Sequence, residues 1–294
     1  MSIYIDASTR VLVQGITGKE GSFWTNHMKE MGTQVICGVT PNKEGQSVSG
    51  IPVFHSVRRA AAEMQIDASM IFVPPQYTKD AVLEALDSGI KKIVTLADGI
   101  PLHEMMQIRS AALKAGAMVV GGNTSGVISP GKAMLGCFPY WIERVYKPGN
   151  IGIMTRSGSL TNEVTAMVVS AGFGVSTLAG VGGDPVPATR FAELLPGFEA
   201  DSETKAIVII GELGGTMEEE VAQAIKDKRF TKPVVVFFSG RTAPEGKKMG
   251  HAGAIISGGK GSVADKIKQF EGTGAWIAER PRMVGEHLRT IFSK

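Results

Sequence analysis

One histidine in this chain is placed to do chemistry. His251 sits in Gly250-His251-Ala252-Gly253-Ala254, with small residues on both sides. The glycine-rich run around it, Thr242 to Ser262, also carries Lys247, Lys248 and Lys260. Small neighbours leave the imidazole within reach of a bulky anionic group, and backbone N–H groups without a shielding Cβ can approach an anion closely. A neutral imidazole nitrogen is a nucleophile near neutral pH, so this setting points to a transiently phosphorylated histidine. A surface loop with a chance histidine is the competing reading, because loops commonly carry Gly and Lys.

A second constellation lies near the N-terminus. An apolar run, Arg10–Gln14, leads straight into Gly15-Ile16-Thr17-Gly18-Lys19-Glu20-Gly21 and then a helical stretch. Strand, tight glycine turn and helix N-terminus form an arrangement that holds a pyrophosphate, with N–H groups aimed at the anion and the helix dipole favouring its charge. The spacing is Gly-x-x-Gly-x-x-Gly, not the dinucleotide Gly-x-Gly-x-x-Gly. A nicotinamide site also needs an acidic residue after the second strand, to hold the ribose hydroxyls. Here that strand ends Val39-Thr40-Pro41-Asn42-Lys43, with a cation and no carboxylate. Coenzyme A, which carries an additional 3′-phosphate, fits better than NAD. The alternative is a glycine turn that only packs helix on strand. Gly258-Gly259-Lys260-Gly261-Ser262 resembles the end of a P-loop, but Ala254 and Gly261 occupy positions where that motif needs Gly and Ser or Thr. It is not read as an ATP site.

The elements that must position these residues follow a regular rhythm. Strand-like runs fall at Arg10–Gln14, Val35–Val39, Ser69–Val73, Lys92–Leu96 and Ala117–Val120, with helices at Glu20–Met31, Thr78–Ser88 and Leu102–Ala115 between them. Alternation of this kind predicts βαβ units, and strands as apolar as Met70-Ile71-Phe72-Val73 suit a parallel sheet covered on both faces. The rhythm breaks between Gly131 and Asn150. It resumes with strands at Ile151–Met154, Ser176–Gly180, Ala206–Ile210, Val234–Phe238 and Trp276–Glu279, and helices at Leu160–Ala171, Met217–Lys226, Val263–Phe270 and Arg282–Phe292. The expected architecture is α/β with two doubly wound domains: a Rossmann-like domain over 1–130, a linker over 131–150, and a flavodoxin-like domain over 151–294.

Composition excludes other classes. A length of 294 residues accommodates two ordinary cores, and 43% apolar with 20% charged residues is the balance of a globular protein. A net charge of +3, evenly spread, argues against nucleic-acid binding. The start, Met1-Ser2-Ile3-Tyr4-Ile5-Asp6, does not resemble a signal peptide, and no run reaches the length of a membrane span. Cys37 and Cys137 fit neither a disulfide framework nor a zinc site, so a reducing, cytoplasmic setting without a metal centre is expected. A serine hydrolase is disfavoured, because neither Ser157 nor Ser159 stands in Gly-x-Ser-x-Gly.

Taken together, the chain resembles the alpha subunit of the ADP- or GDP-forming acid–CoA ligases, typified by succinate–CoA ligase. The motifs that carry the resemblance are Gln14-Gly15-Ile16-Thr17-Gly18, Gly38-Val39-Thr40-Pro41, Asp98-Gly99-Ile100-Pro101, Arg156-Ser157-Gly158, Gly182-Gly183-Asp184-Pro185, Ile210-Gly211-Glu212-Leu213-Gly214-Gly215 and Lys248-Met249-Gly250-His251-Ala252-Gly253-Ala254. They run in order over nearly the whole chain, and the last is the family's phosphohistidine signature. The resemblance implies that His251 is the phosphorylated nucleophile and that Glu212 accepts a hydrogen bond from its other ring nitrogen. Alone, Glu212 reads more readily as a strand-end carboxylate capping the next helix, and Lys43 as a solvated loop charge. The resemblance further implies that Thr17, Gly18, Lys19, Glu20, Lys43 and Leu96-Ala97-Asp98 line the coenzyme A site. It gives the Ser157-Gly158-Ser159 turn the phosphoryl group or an acyl phosphate.

The implied chemistry has three steps: a nucleoside triphosphate phosphorylates His251, the phosphoryl group passes to a carboxylate, and the coenzyme A thiol displaces phosphate. ATP or GTP with Mg²⁺ would be bound by a separate ATP-grasp beta subunit, in a heterodimer or heterotetramer. The expected setting is a cytoplasmic enzyme of the tricarboxylic acid cycle type.

Two segments depart from the succinate-type pattern. Gly122-Asn123-Thr124-Ser125-Gly126 stands in place of Pro-Asn-Cys-Pro-Gly, and Thr161-Asn162-Glu163 in place of Thr-Tyr-Glu. The stretch Tyr140–Tyr146 is also longer than expected. The resemblance implies that both segments lie near the acid substrate, and with the Ser157-Gly158 turn they supply the candidate acid-binding residues Asn123, Thr124, Ser125, Ser157, Gly158 and Asn162. The replacements add hydroxyl and amide groups, which suits a substituted dicarboxylate such as malate or citrate. Succinate is named first, with malate or citrate as the alternative acid. An NAD-linked oxidoreductase or redox sensor, or a non-catalytic coenzyme A-binding regulator, are the readings of another class.

Overall fold

A computed structural model describes residues 3–244, 246–247, 249–256 and 261–293. Lys248 and the Gly258-Gly259-Lys260 segment singled out above lie outside the described residues. The chain forms two compact units. One comprises Tyr4–Phe138 with Val186–Thr189, the other Pro139–Pro185 and Arg190 onward together with Ile3. The division falls between Phe138 and Pro139, inside the stretch read as a linker, and that stretch is structured.

In the first unit the elements run β1 (Arg10–Gln14), α1 (Lys19–Met31), β2 (Gln34–Val39), β3 (Ser47–Val48), β4 (Ile51–Phe54), α2 (Val57–Glu63), β5 (Ala68–Ile71), α3 (Pro75–Asp87), β6 (Lys92–Thr95), α4 (Leu102–Ala115), β7 (Met118–Val120), β8 (Gly126–Ser129) and β9 (Ala133–Gly136). The sheet order is β3-β4-β2-β1-β5-β6-β7, and every pair is parallel except the β3–β4 edge. Setting β3 aside, this is the Rossmann order, which reverses between β1 and β5. Sequence reading passed over β3, β4 and α2. Pro52 and the glycines at 45 and 50 break the apolar run there, and proline is tolerated because β4 lies near the sheet edge. It also missed the antiparallel hairpin β8–β9, which packs on α1. Thr33 Oγ1 donates to Met134 O at 2.8 Å and lies 2.8 Å from Met134 N.

The second unit continues β10 (Pro148–Thr155), α5 (Gly158–Ser170), β11 (Val175–Gly180), α6 (Phe191–Ala200), β12 (Ala206–Glu212), α7 (Met217–Lys226), β13 (Val234–Ser239), α8 (Val263–Phe270), β14 (Trp276–Ala278) and α9 (Pro281–Phe292). Its parallel strands lie in the order β14-β13-β12-β10-β11, the flavodoxin-like arrangement with its reversal between β10 and β12. Helix α6 is the element missing from the sequence reading. Its buried face, Phe191, Leu194, Leu195 and Phe198, has helical spacing, but Pro196 and Gly197 hide it. The helix holds because Glu193 Oε2 accepts from the Arg190 N–H at 2.7 Å and because Phe198 fills the space over Gly152.

Candidate active site

Parallel register decides what meets at the sheet ends. In the second unit Thr155 is paired with Gly180 on one side and Ile210 on the other. The segments that follow, Arg156–Ser157, Val181–Gly183 and Glu212–Gly215, therefore emerge together, at the carboxyl ends flanking the strand-order reversal. That is where doubly wound sheets bind ligands.

His251 closes onto this edge. Its Nδ1 lies 2.8 Å from Glu212 Oε2. Its ring rests on Gly183, where an added Cβ would come within 2.4 Å of the imidazole. The loop is pinned by Gly253 N–H donating to Gly183 O at 3.0 Å and Gly214 N–H to Gly261 O at 2.7 Å. Positive φ at Gly214, with Gly253 O only 2.2 Å from its notional Cβ, makes glycine the residue that fits there.

Glu212 is buried, and its charge is matched from behind. Arg156, also buried, places Nη2 3.2 Å from Glu212 Oε1 and Nη1 3.5 Å from Glu218 Oε1, and donates from Nη1 to Gly214 O at 2.8 Å. Glu218 Oε1 accepts the backbone N–H of Glu212 at 3.1 Å, and Lys266 donates to Glu218 Oε2 at 2.7 Å. The hydrogen bond to Glu212 holds the His251 pKa above the ordinary histidine value. Partial burial and the charge of Arg156 pull the other way, while the charges of Glu212 and Asp184 add to the rise. A carboxylate on Nδ1 fixes the tautomer that leaves Nε2 with its lone pair, which is what a phosphoryl acceptor needs. Beside the loop a cavity of about 740 Å³ is lined by Arg156, Thr216, Glu219, Ala252, Gly253 and Asp265, among others.

The other candidates in this unit lie on α5. Ser157 is buried as its N-cap, its hydroxyl accepting the Leu160 N–H at 3.4 Å, while Gly158 is exposed at the first turn. Asn162 is exposed, and its Oδ1 accepts the Tyr146 hydroxyl in a short hydrogen bond. Tyr146 belongs to the long segment the sequence flagged, and its role as a buttress for Asn162 was not legible there.

The first unit presents a different kind of site. Gln14 is paired with Val39 and Ile71, and Ile71 with Thr95, so Gly15, Thr40, Phe72 and Leu96 stand at one edge. Gly15 has φ +79°, and a Cβ on Gly21 would lie 2.1 Å from Gly15 O. The first glycine makes the turn and the third lets helix approach strand. Gly18 is the N-cap of α1, and no side chain caps the helix. Thr17 Oγ1 donates to Thr40 Oγ1 at 3.1 Å, joining the turn to the end of β2. Lys19, Glu20 and Lys43 are exposed around it. Leu96 and Ala97 are half-buried and Asp98 is exposed. Asn123 N–H donates to Ala97 O at 2.8 Å, and Thr124 Oγ1 accepts the Gly126 N–H at 3.0 Å, so the loop of Asn123, Thr124 and Ser125 is tied to that strand end. A slot of about 380 Å³, lined by Gly15, Val39, Pro41, Val73, Pro74 and Tyr77 among others, opens beside the glycine turn. Val73, Pro74 and Tyr77 were not singled out from sequence, since apolar residues at a strand end look like core.

Among the described residues there is no group of three or more His, Cys, Asp or Glu able to hold a metal, and no helix long and apolar enough to cross a membrane.

A Rossmann-like unit with an anion cradle, followed by a flavodoxin-like unit with a carboxylate-buttressed histidine, is an arrangement suited to coenzyme A-dependent acid activation. Comparison with known proteins is in accord: the CoA binding domain family matches residues 6–99 and the CoA-ligase family residues 154–276. A subunit of the ADP-forming sulfoacetate–CoA ligase of an Acholeplasma species is 70% identical over 99% of this chain and 98% of its own length. The alpha 2 subunit of ADP-forming succinate–CoA ligase from Archaeoglobus fulgidus is 47% identical over 99% of this chain and 100% of its own. ATP citrate lyase from Methanosaeta concilii, solved with (3S)-citryl-CoA, shares the fold with a TM-score of 0.88 at 24% identity. It matches 99% of this chain, which spans 51% of that longer one. The chain belongs to the acid–CoA ligase alpha-subunit family.

Proposed function

We propose that this chain is the alpha subunit of a nucleotide-dependent sulfoacetate–CoA ligase. The single observation that carries the chemistry is the 2.8 Å contact of His251 Nδ1 with Glu212 Oε2 at the strand-order reversal. His251 Nε2 attacks the γ-phosphorus of ATP or GTP and the nucleoside diphosphate leaves. The phosphoryl group passes to a carboxylate oxygen of the acid, freeing the histidine. The coenzyme A thiolate then attacks the acyl carbon and inorganic phosphate departs. Each transfer replaces one bond to phosphorus or carbon with another, and positioning and charge neutralisation lower its barrier. The α1 N-terminus with Thr17, Gly18, Lys19, Glu20 and Lys43, and the Leu96-Ala97-Asp98 strand end, would hold coenzyme A. The nucleotide and Mg²⁺ are assigned to an ATP-grasp beta subunit, in a heterodimer or heterotetramer in the cytoplasm.

The succinate-first expectation gives way here on substrate. The 70% identity to a sulfoacetate–CoA ligase subunit, against 47% to a succinate–CoA ligase subunit, supports the sulfonated acid. So do the departures at Thr124, Ser125 and Asn162. A sulfonate presents three acceptor oxygens in a tetrahedron, and amide and hydroxyl donors suit it better than Cys and Pro do. The second reading keeps the same chemistry on succinate, malate or citrate.

The test is thioester formation by this chain with a cognate beta subunit, Mg²⁺ and ATP or GTP, across sulfoacetate, succinate, malate and citrate. Sulfoacetate is expected to give the highest kcat/KM. A clear preference for succinate restores the first expectation, and no thioester with any of the four removes the function.

A further inference from the structure

Glu218 and Lys266 lie outside every motif named so far, yet both are fully buried against the His251 site. Lys266, on α8, has 0% side-chain exposure and donates to Glu218 Oε2 at 2.7 Å, to Glu219 Oε2 at 2.8 Å and to Gly215 O at 3.0 Å. Glu218, on α7, also has 0% exposure, and its other oxygen accepts the Glu212 N–H at 3.1 Å and faces Arg156 Nη1 at 3.5 Å. Room for that oxygen exists because residue 211 is glycine, where a Cβ would lie 2.8 Å from it. A relay of charge thus runs from Lys266 through Glu218 and Arg156 to Glu212 and on to His251.

An ordinary folding role does not account for this arrangement. A buried ion pair is commonly matched or bettered in stability by apolar residues of the same volume. What the pair does here is geometric. Lys266 joins the first turns of α7 and α8, the two helices that follow Glu212 and the histidine loop respectively. Glu218 then fixes the backbone of Glu212 and shares Arg156 with its carboxylate. Arg156 has two carboxylates to face, and how it divides between them sets the charge that Glu212 offers to the imidazole. We infer that Glu218 and Lys266 are a positioning pair for the phosphoryl-transfer step, acting on His251 through Arg156 and Glu212. This rests on the reading of His251 as the nucleophile for its functional meaning, but its test does not.

Among the described residues, the charged groups facing His251 are Glu212, Arg156 and Asp184, those facing Glu218 are Lys266 and Arg156, and Lys266 also faces Glu219. Removing the Glu218 charge leaves Arg156 and Lys266 in excess, which disfavours the imidazolium. Removing the Lys266 charge leaves Glu218 to compete for Arg156, which favours it. The experiment is an NMR titration of His251 in the full chain, with ring-labelled histidine, for the parent, Glu218→Gln, Lys266→Met and the double variant. Expected are a downward displacement of the midpoint in Glu218→Gln and an upward one in Lys266→Met. Each is roughly half a pH unit, the scale of one charge removed nearby in a partly screened site. The double variant returns to the parent midpoint.

A purely structural pair would lower the melting temperature while leaving the titration in place. Displacements that are absent, or of the same sign in both single variants, overturn the inference. Should Glu218→Gln fail to fold, Lys266→Met and the double variant decide the point by the rise in one and its cancellation in the other. Phosphorylation needs nucleotide and a partner, and the titration needs neither. Opposed displacements in a chain that never takes up phosphate would keep the coupling of Glu218 and Lys266 to His251 and sink the function it is inferred to serve, and the converse result would do the reverse.

Discussion

Both units place their site at the carboxyl end of a parallel sheet, beside the point where strand order reverses, but they build it from opposite materials. The first unit uses backbone and empty space: a glycine turn, an uncapped helix N-terminus, an apolar slot and a scatter of exposed charges. The second uses buried ionised side chains, with Glu212, Glu218, Arg156 and Lys266 all withdrawn from water. Under the proposed function, the difference follows from the task. A ligand that must arrive and leave is held by groups whose desolvation was settled on folding and whose charge is shared with solvent. A nucleophile that must hold one tautomer needs a fixed carboxylate, and a carboxylate stays ionised under cover only if cations are buried with it. The expected consequence is that binding tolerates loss of a single exposed charge, whereas the buried array does not.

The largest effect should come from His251→Asn. With a beta subunit, Mg²⁺ and nucleotide, acid-labile phosphate uptake should fall by more than about 10³-fold, because no other group at the site offers a ring nitrogen. Coenzyme A binding to the first unit should be unchanged. Equal phosphate uptake by parent and variant would remove the histidine from the chemistry.

Next comes Arg156→Met, which leaves Glu212 without a buried cation and Glu218 with Lys266 alone. Breaking such an array costs about 3–5 kcal/mol, to be read as a fall in the urea midpoint of unfolding. A variant as stable as the parent would mean that the array is not ionised as drawn.

Glu212→Gln should bring the His251 pKa down toward its ordinary value, since the hydrogen bond to Glu212 is the main cause of the rise. The neutral ring is the nucleophile, so the acid limb of the phosphorylation rate should move to lower pH. The peak rate should drop by about ten- to a hundredfold as tautomer control is lost. Stability follows the same linkage. A raised folded-state pKa stabilises the fold fully below the unfolded value of 6.5, and this contribution is lost as pH rises through the folded value. Parent minus variant stability should therefore shrink on the alkaline side, and a difference that grows there would contradict the assignment.

In the first unit Gly21→Ala should drive α1 off Gly15, costing about 1–3 kcal/mol by overpacking and weakening coenzyme A binding by calorimetry, with His251 labelling intact. Lys43→Ala should do least: about a three- to tenfold loss of coenzyme A affinity, concentrated at low ionic strength, as befits one exposed cation. An equal loss at high salt would show that Lys43 does more than attract charge.

Much of this was legible in the chain. Periodicity gave the long strands and helices of both sheets, since buried parallel strands must be continuously apolar whatever surrounds them. The glycine turn and His251 stood out because glycine permits turns and close approaches that a Cβ forbids, so small residues at fixed spacing mark such places in the chain. Elements interrupted by proline or glycine, β4 and α6, were lost to sequence reading, because packing overrides local preference there. Glu218 was also hidden: Met217-Glu218-Glu219-Glu220 reads as the acidic first turn of a solvated helix, a role that Glu220 fills by binding Arg190. Lys266 looks like any helix lysine between Asp265 and Ile267.

The sequence by itself therefore determined the two doubly wound units and the glycine turn, which short-range pattern encodes, and it singled out His251, while Glu212 entered as its partner only through the family resemblance. Only the tertiary structure decided that Arg156, Glu218 and Lys266 are buried together behind Glu212. Burial and charge pairing depend on which loops and helices converge from distant parts of the chain, and no local pattern of residues records that.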